Sequence, residues 1–324
     1  DLLSFDDVKA LARDDMGAVD DLIRSSLQSD VLLVSQVAEY IVTSGGKRLR
    51  PLIVLLAARA LGYTGGHQMN AAAIVEFIHT ATLLHDDVVD GSDKRRNRDT
   101  ANAVWGNAAS VLVGDFLYSR AFEMMVDVKI MRVMDILSHA TNRIAEGEVL
   151  QLLNCNDPDI DEQKYHDVIL RKTATLFEAG AQLGAVLSKS SSAEERALAE
   201  YGLKLGIAFQ IVDDALDYSA CADDIGKNIG DDLAEGKATL PLIRALQVGT
   251  PEQRTALRSA IEKGGREHIG TAMAAIESTD AIEYTSRLAA EQADAAKAAL
   301  EALPPSAYRS ALAALADFAV QRTS

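Results

Sequence analysis

Two short runs carry the residues best able to do chemistry. LLHDDVVD places Asp86, Asp87 and Asp90 at the end of an apolar stretch, and FQIVDDALD repeats the pattern at Asp213, Asp214 and Asp217. Aspartates at i and i+4 lie about 40° apart on a helix of 3.6 residues per turn, so Asp86 and Asp90 share a face, as do Asp213 and Asp217. The middle members, Asp87 and Asp214, are turned about 100° away and contribute less directly. Stacked carboxylates repel unless something positive sits between them. An oxygen-only acidic set with no cysteine beside it suits a hard divalent cation; Mg2+ in particular is held by a few carboxylates together with substrate phosphate oxygens. One such cluster alone reads as readily as a solvated helix end, and its repetition after a second apolar run favours the metal. Neither copy fits the twelve-residue calcium loop, which needs a turn glycine and a closing glutamate.

Cations follow each cluster. Lys94, Arg95, Arg96 and Arg98 come after the first, and Lys227 and Lys237 stand among carboxylates after the second. Arginine binds phosphate oxygens in a two-point fork, so metal on one side and guanidinium on the other would grip a diphosphate. A third basic stretch, Gly45-Gly46-Lys47-Arg48-Leu49-Arg50-Pro51, sets cations on a glycine turn before a helix, where free N–H groups attract anions. It lacks the spacing of a P-loop, and read alone it is equally a basic loop that starts a helix. His79 alone reads as a satisfied helix histidine, but its phase lies within about 20° of Asp86 and Asp90. Lys172 and Thr173 read equally as a surface helix pair, while Gln210 precedes Asp213 by three residues and falls near its face.

The elements that hold these groups are predicted to be helices. Aromatics are 5% of the 324 residues and prolines number 6, so Ala, Leu and Val carry the 48% apolar fraction and leave long segments unbroken. Apolar residues recur at three and four, as in Leu22, Ile23, Leu27, Val31, Val34, Val37 and Ile41. Breaks fall at 44–51, 62–66, 91–100, 154–161, 188–195, 219–236, 248–252 and 303–306, which leaves roughly ten or more helices. No long polar or Pro-rich linker separates them, so a single domain over 1–324 is expected. The formal charge of −16 argues against general nucleic-acid affinity, so any polyanion must be met by local cations or metal. Cys155 and Cys221 are too few for a disulfide framework and suit a reducing cytosol. No apolar run approaches the roughly 18 to 20 residues of a membrane span. No secretory signal is visible, although the chain opens at Asp1 without a Met, which leaves room for a removed segment.

GGKRLRP, FIHTATLLHDDVVDGSDKRR, RKTATLF, AFQIVDDALDY and GKNIGDDLAEGKATLPL resemble, in order and spacing, the motifs of the trans-type polyprenyl diphosphate synthases, most nearly the bacterial octaprenyl synthases that make quinone side chains. The resemblance spans essentially the whole chain. It implies an all-α fold of antiparallel helices around a deep cavity, usually a homodimer, and elongation of an allylic diphosphate, such as farnesyl diphosphate, by successive 1′-4 condensations with isopentenyl diphosphate; the cytoplasmic location is the expectation from the cysteines. Asp86, Asp90 and Asp213 would hold up to three Mg2+ ions, with Asp87, Asp214 and Asp217 behind them. Lys47, Arg50, His79 and Arg96 would bind isopentenyl diphosphate. Arg95, Lys172, Thr173, Gln210, Lys227 and Lys237 would face the allylic diphosphate. Released pyrophosphate takes the final proton in that family, in keeping with the lack of a convincing His or Glu base. Product hand-off at a membrane surface is a further expectation.

In that family bulky residues four or five positions before the first aspartate stop the product early. Here those positions are Thr82 and Ala81, the latter only about 7 to 8 Å along the helix, and neither blocks. A long product is expected, C40 within a range of C30 to C50, with Phe122, Met124 and Met125 as candidates for the floor; each reads at least as readily as plain core. Two rivals are weaker. A class I terpene cyclase would carry an Asn/Ser/Glu pattern at its second metal site, and a non-catalytic partner subunit would have lost motif Asp or Arg residues, which this chain keeps.

Overall fold

The structure, a computed structural model, describes residues 2–44, 46–219 and 229–322. The chain is all-α, as its composition predicts. Its helices are α1 (Phe5–Leu11), α2 (Arg13–Ser26), α3 (Leu32–Val42), α4 (Leu49–Ala60), α5 (His67–Val89), α6 (Ala101–Trp105), α7 (Asn107–Val128), α8 (Met131–Asn154) and α9 (Glu162–Ile169). They continue with α10 (Thr175–Leu187), α11 (Ser192–Leu216), α12 (Asp231–Ala234), α13 (Leu240–Val248), α14 (Pro251–Lys263), α15 (Ile269–Ser278), α16 (Ala281–Ala299) and α17 (Ala307–Gln321). Among the described residues one sheet occurs, a hairpin of β1 (Lys94–Arg95) and β2 (Arg98–Asp99). Two compact units result: residues 1–141, 176–202 and 297–315 form the first, and 142–175, 203–296 and 316–324 the second.

In the first unit α5 packs against α2, α4 and α7. Ala71, Ala72, Ala73, Ile74, Val75, Phe77, Ile78, Ala81 and Leu84 are all inaccessible to solvent. Apolar residues therefore cover more than one face of α5, as a helix surrounded by others requires. α4 is buried continuously from Leu52 to Ala58 for the same reason. α10 reaches α4 through Gly184, where a Cβ would lie 2.6 Å from both the Ala57 Cβ and the Ala58 nitrogen, so the two backbones meet because no side chain stands there. Arg59 fixes α4 to α2 by a fork on Asp15, at 3.0 Å on each arm.

The stretch after the first cluster, which the sequence marks only as a break, is ordered. Lys94 pairs with Asp99 and Arg95 with Arg98, and the two turn residues, Arg96 and Asn97, both sit in the left-handed region at φ 50° and 62°. Positive φ at both central residues defines the hairpin turn whose twist matches its strands. Tyr40 supports it: its hydroxyl donates to the Asp99 carbonyl at 2.7 Å, and the Arg98 guanidinium stacks 3.6 Å from its ring centre.

In the second unit Ile160, Tyr165, Ile207, Ile211, Leu216, Leu233, Ile243, Leu257 and Ile276 belong to one buried cluster. α13, α14 and α15 pack on one another, and α14 opens with Pro251 behind a Thr250–Gln253 capping box. α9 runs into a single π-helical turn, Leu170–Ala174, that carries Arg171, Lys172 and Thr173. α8 presses against this turn at Gly147, where a Cβ would stand 2.7 Å from the Lys172 nitrogen. Wide turns of this kind recur at functional sites.

Candidate active site

In the first unit, Asp86 and Asp87 end α5 and Asp90 caps it, its N–H donating to the Asp86 carbonyl at 2.8 Å. Asp86 and Asp90 are half-buried, whereas Asp87 is 3% exposed beneath the hairpin. Arg95 holds both Asp87 oxygens, Nε to Oδ2 at 3.0 Å and NH2 to Oδ1 at 2.7 Å. Burial pushes the Asp87 carboxyl up, and Arg95 pulls against it.

The basic stretch lies in the same unit. Arg48 adopts φ 49° at the start of α4 and pairs with Asp20 at 3.3 Å, so this cation is engaged by α2. Arg50 lies 4.5 Å over the Phe177 ring and its NH1 stands 3.2 Å from His79 Nε2. Arginine can only donate, so Nε2 accepts and His79 is neutral, with its proton on Nδ1. Burial, then Arg50, Arg95 and Arg96, hold the His79 ring well below its usual value. Gly46, at φ 131°, makes room for Arg96: a Cβ there would come 3.0 Å from the guanidinium carbon. Lys47 and Arg48 also line a cavity of about 600 Å³ with Lys9, Arg13 and Asp20. Glu76 went unpredicted. It sits one turn before His79, and its half-buried carboxyl is raised by desolvation against the pull of Arg48, Arg50 and Arg96. An acid three residues before a histidine on one helix face was the available clue.

Of the chain-length candidates, Ala81 and Met125 are fully buried, Met124 is 6% exposed and Thr82 is half-buried, donating to the His79 carbonyl at 2.5 Å. Phe122 is 37% exposed on α7.

In the second unit Thr173 and Gln210 form a hydrogen-bonded chain to Asp214, while Lys172, Asp213 and Asp217 have other partners. Thr173 donates to Gln210 Oε1 at 3.1 Å, and Gln210 Nε2 donates to Asp214 Oδ1 at 2.9 Å. Tyr165 donates to Asp214 Oδ2 at 2.5 Å. Burial first, then Asp232, raises Asp214 above the carboxylate range. Lys172 donates to Gln151 at 2.5 Å and lies 3.4 Å from Glu148. Asp213 accepts from Arg322 at 2.8 Å. Asp217 behaves differently from its i+4 partner: α11 ends at Leu216, and the fully buried Asp217 carboxylate accepts the Asp232 N–H at 3.1 Å. Lys237 pairs with Glu235 at 2.8 Å. Lys227 lies outside the described residues, as does Cys221. Tyr165, Gln151 and Arg322 went unpredicted, because nothing in their local sequence ties them to the aspartates.

Among the described residues no three His, Cys, Asp or Glu side chains converge into a ready metal cage. The donors that the two aspartate runs offer are carboxylate oxygens alone, a chemistry that suits a hard divalent cation. Among the described residues no helix is long and apolar enough to cross a membrane.

The polyprenyl synthetase family model matches residues 31–278. Over 99% of both chains the sequence is 53% identical to octaprenyl diphosphate synthase of Escherichia coli. It is 46% identical to an all-trans-nonaprenyl-diphosphate synthase of Rhodobacter capsulatus, covering 98% of this chain and 97% of that protein. The crystal structure of a polyprenyl synthase from Caulobacter crescentus, complexed with calcium and isoprenyl diphosphate, superposes with a TM-score of 0.96 at 47% identity, over 99% of this chain and 98% of that one.

Proposed function

The chain belongs to the polyprenyl synthetase family, and on that premise we propose that it is the prenyltransferase that builds all-trans-octaprenyl diphosphate for quinone side chains. Isopentenyl diphosphate units are joined 1′-4 onto an allylic primer, farnesyl diphosphate. The observation that carries this reading is the 53% identity to an octaprenyl synthase across 99% of both chains. A single polyprenyl synthase domain over 1–324 goes with it.

Asp86, Asp90 and Asp213 are assigned as ligands of up to three Mg2+ ions. When bound, Mg2+ neutralises charge on the departing pyrophosphate. The residues do the rest. Lys47, Arg50, His79 and Arg96 receive isopentenyl diphosphate; the neutral His79 offers its Nδ1 proton, and Arg50 is already oriented by His79 and Phe177. Arg95, Lys172, Thr173, Gln210, Lys227 and Lys237 serve the allylic diphosphate. Groups fixed before the substrate arrives stabilise developing charge without reorganising, which is why the Asp87 grip on Arg95 and the Gln151 grip on Lys172 matter. Loss of pyrophosphate leaves an allylic cation, the double bond of isopentenyl diphosphate attacks it, and the released pyrophosphate takes the proton.

The protein is read as a cytoplasmic homodimer that hands its product to a membrane surface. Val111, Leu112, Phe122 and Val126 support the dimer, because they fall within about 100° of one another on α7 and are all exposed in the single chain.

The test is to incubate the purified protein with farnesyl diphosphate, labelled isopentenyl diphosphate and Mg2+ and to resolve the products by length. A ladder ending at C40 is expected. A ladder ending elsewhere corrects the length alone, and no elongation at all removes the enzymatic reading.

A further inference from the structure

The C-terminal helix delivers one arginine to the second aspartate cluster, and every arm of that guanidinium is engaged. Arg322 NH1 donates to Asp213 Oδ1 at 2.8 Å, NH2 to the Phe209 carbonyl at 3.1 Å, and Nε to the Ala319 carbonyl at 3.3 Å. The flat face of the group lies 4.0 Å from the centre of the Phe209 ring. The side chains of Arg322 and Asp213 are only 15% and 24% exposed. An exposed ion pair between two flexible side chains would mean little. This one is different: both carbonyls and the ring fix the guanidinium independently of the carboxylate, so a positive charge is held at Asp213 whether or not substrate is present.

We propose that Arg322 is a resident counter-cation for Asp213, a positioning residue that occupies the carboxylate until metal-diphosphate takes over. This rests on the assignment of Asp213 as a metal ligand. The Asp213 oxygen nearest Arg322 has to exchange one cation for another, so the Arg322 contact sets the metal concentration at which the second cluster loads. It also keeps Asp213 from standing as an uncompensated half-buried charge beside Asp214 and Asp217 in the metal-free protein. Phe209 contributes twice: it stacks the guanidinium, and it lies one helical turn before Asp213 on α11, so the arginine and the carboxylate are positioned by the same helix.

Four full-length proteins test this: wild type, Arg322→Gln, Asp213→Asn and the double variant. Free Mn2+ is followed by electron paramagnetic resonance in the presence of pyrophosphate, and melting temperature is recorded with and without metal. Arg322→Gln should bind Mn2+ about three- to tenfold more tightly than wild type, the range of a partly buried ion pair lost as a competitor. Its metal-free melting temperature should fall, and metal should restore more of it than in wild type. In the Asp213→Asn background the same arginine substitution should leave Mn2+ affinity unchanged. If Asp213→Asn weakens Mn2+ binding but Arg322→Gln does not strengthen it, the counter-cation role is wrong and the metal assignment stands. If Asp213→Asn has no effect on Mn2+ binding, the metal assignment falls and this proposal with it. Should Arg322→Gln fail to fold, Arg322→Lys carries the test: it keeps the charge but loses the fork, so a gain of about twofold is expected, and no gain overturns the role.

Discussion

Arg95 closes a two-point fork on Asp87, with Nε 3.0 Å from Oδ2 and NH2 2.7 Å from Oδ1, and this pair joins the β-hairpin to the end of α5. The carboxylate is 4% exposed and the guanidinium 28%, so water screens little of the interaction on the Asp87 side. Lysine cannot reproduce a fork. Arg95→Lys should therefore lower stability by about 1 to 2 kcal/mol and kcat/KM for the allylic substrate by about tenfold, the scale of one charge-assisted hydrogen bond. Thermal unfolding and steady-state kinetics check this together; loss of stability with unchanged kinetics would reduce Arg95 to a scaffold residue.

Asp86→Ala and Asp213→Ala should each cut turnover by at least about a hundredfold, the scale of losing one preorganised charge-stabilising group, while circular dichroism stays helical. Wild-type rates in both would remove the metal assignment.

Ala81→Phe should shorten the product. Ala81 is completely buried in α5, so the larger ring costs about 1 to 3 kcal/mol of stability, which melting curves should register beside the product analysis. An unchanged product length in a folded variant would show that the growing chain does not pass Ala81.

His79 should make the protein sensitive to mild acid. Its folded value lies well below the ordinary 6.5, so below pH 6.5 the unfolded chain binds a proton that the folded chain refuses. Stability is then full above that value and falls as the pH drops through it, by up to about 1.4 kcal/mol per pH unit. His79→Gln should flatten the fall in melting temperature between about pH 7 and pH 5.5. Equal slopes in the two proteins would mean that His79 charges freely in the fold.

Tyr165→Phe removes one of two donors to the buried Asp214 carboxylate and leaves Gln210 as the other. A buried acceptor stripped of a donor costs about 1 to 3 kcal/mol, so denaturant unfolding should shift by that amount. Gln210→Ala made on top should cost more than either change alone predicts, because the two donors share one acceptor.

Helix breaks were legible wherever glycine, proline or a run of serine marked them. GYTGG and LPPS fall between helices, SKSSS reaches into the start of α11, and VGTPE spans the ends of the two helices it separates. The separation of α6 from α7 at Gly106, at φ 90°, carried only a lone glycine, and the turn at Asp280, at φ 52°, carried neither glycine nor proline. The hairpin at 94–99 was hidden for a similar reason: Arg96-Asn97 lacks the Asn-Gly or Asp-Gly pair that normally announces two left-handed residues. The π turn at Leu170–Ala174 has no composition signature, since RKTA is ordinary helix sequence, and it lies against Gly147 of α8.

What the sequence determined by itself is chemistry that depends on neighbours along one helix. The spacing of Asp86 with Asp90, the phase of His79 and the three-residue step from Gln210 to Asp213 are consequences of 3.6 residues per turn. Tertiary structure decided which of those groups is held, and by what. Arg95 reaches back eight residues to Asp87, Tyr165 crosses 49 residues to Asp214, and Arg322 crosses 109 to Asp213. Local periodicity sets which side chains share a face, whereas burial beside distant segments selects the partner that neutralises each one, and only the folded chain brings those segments within hydrogen-bond reach.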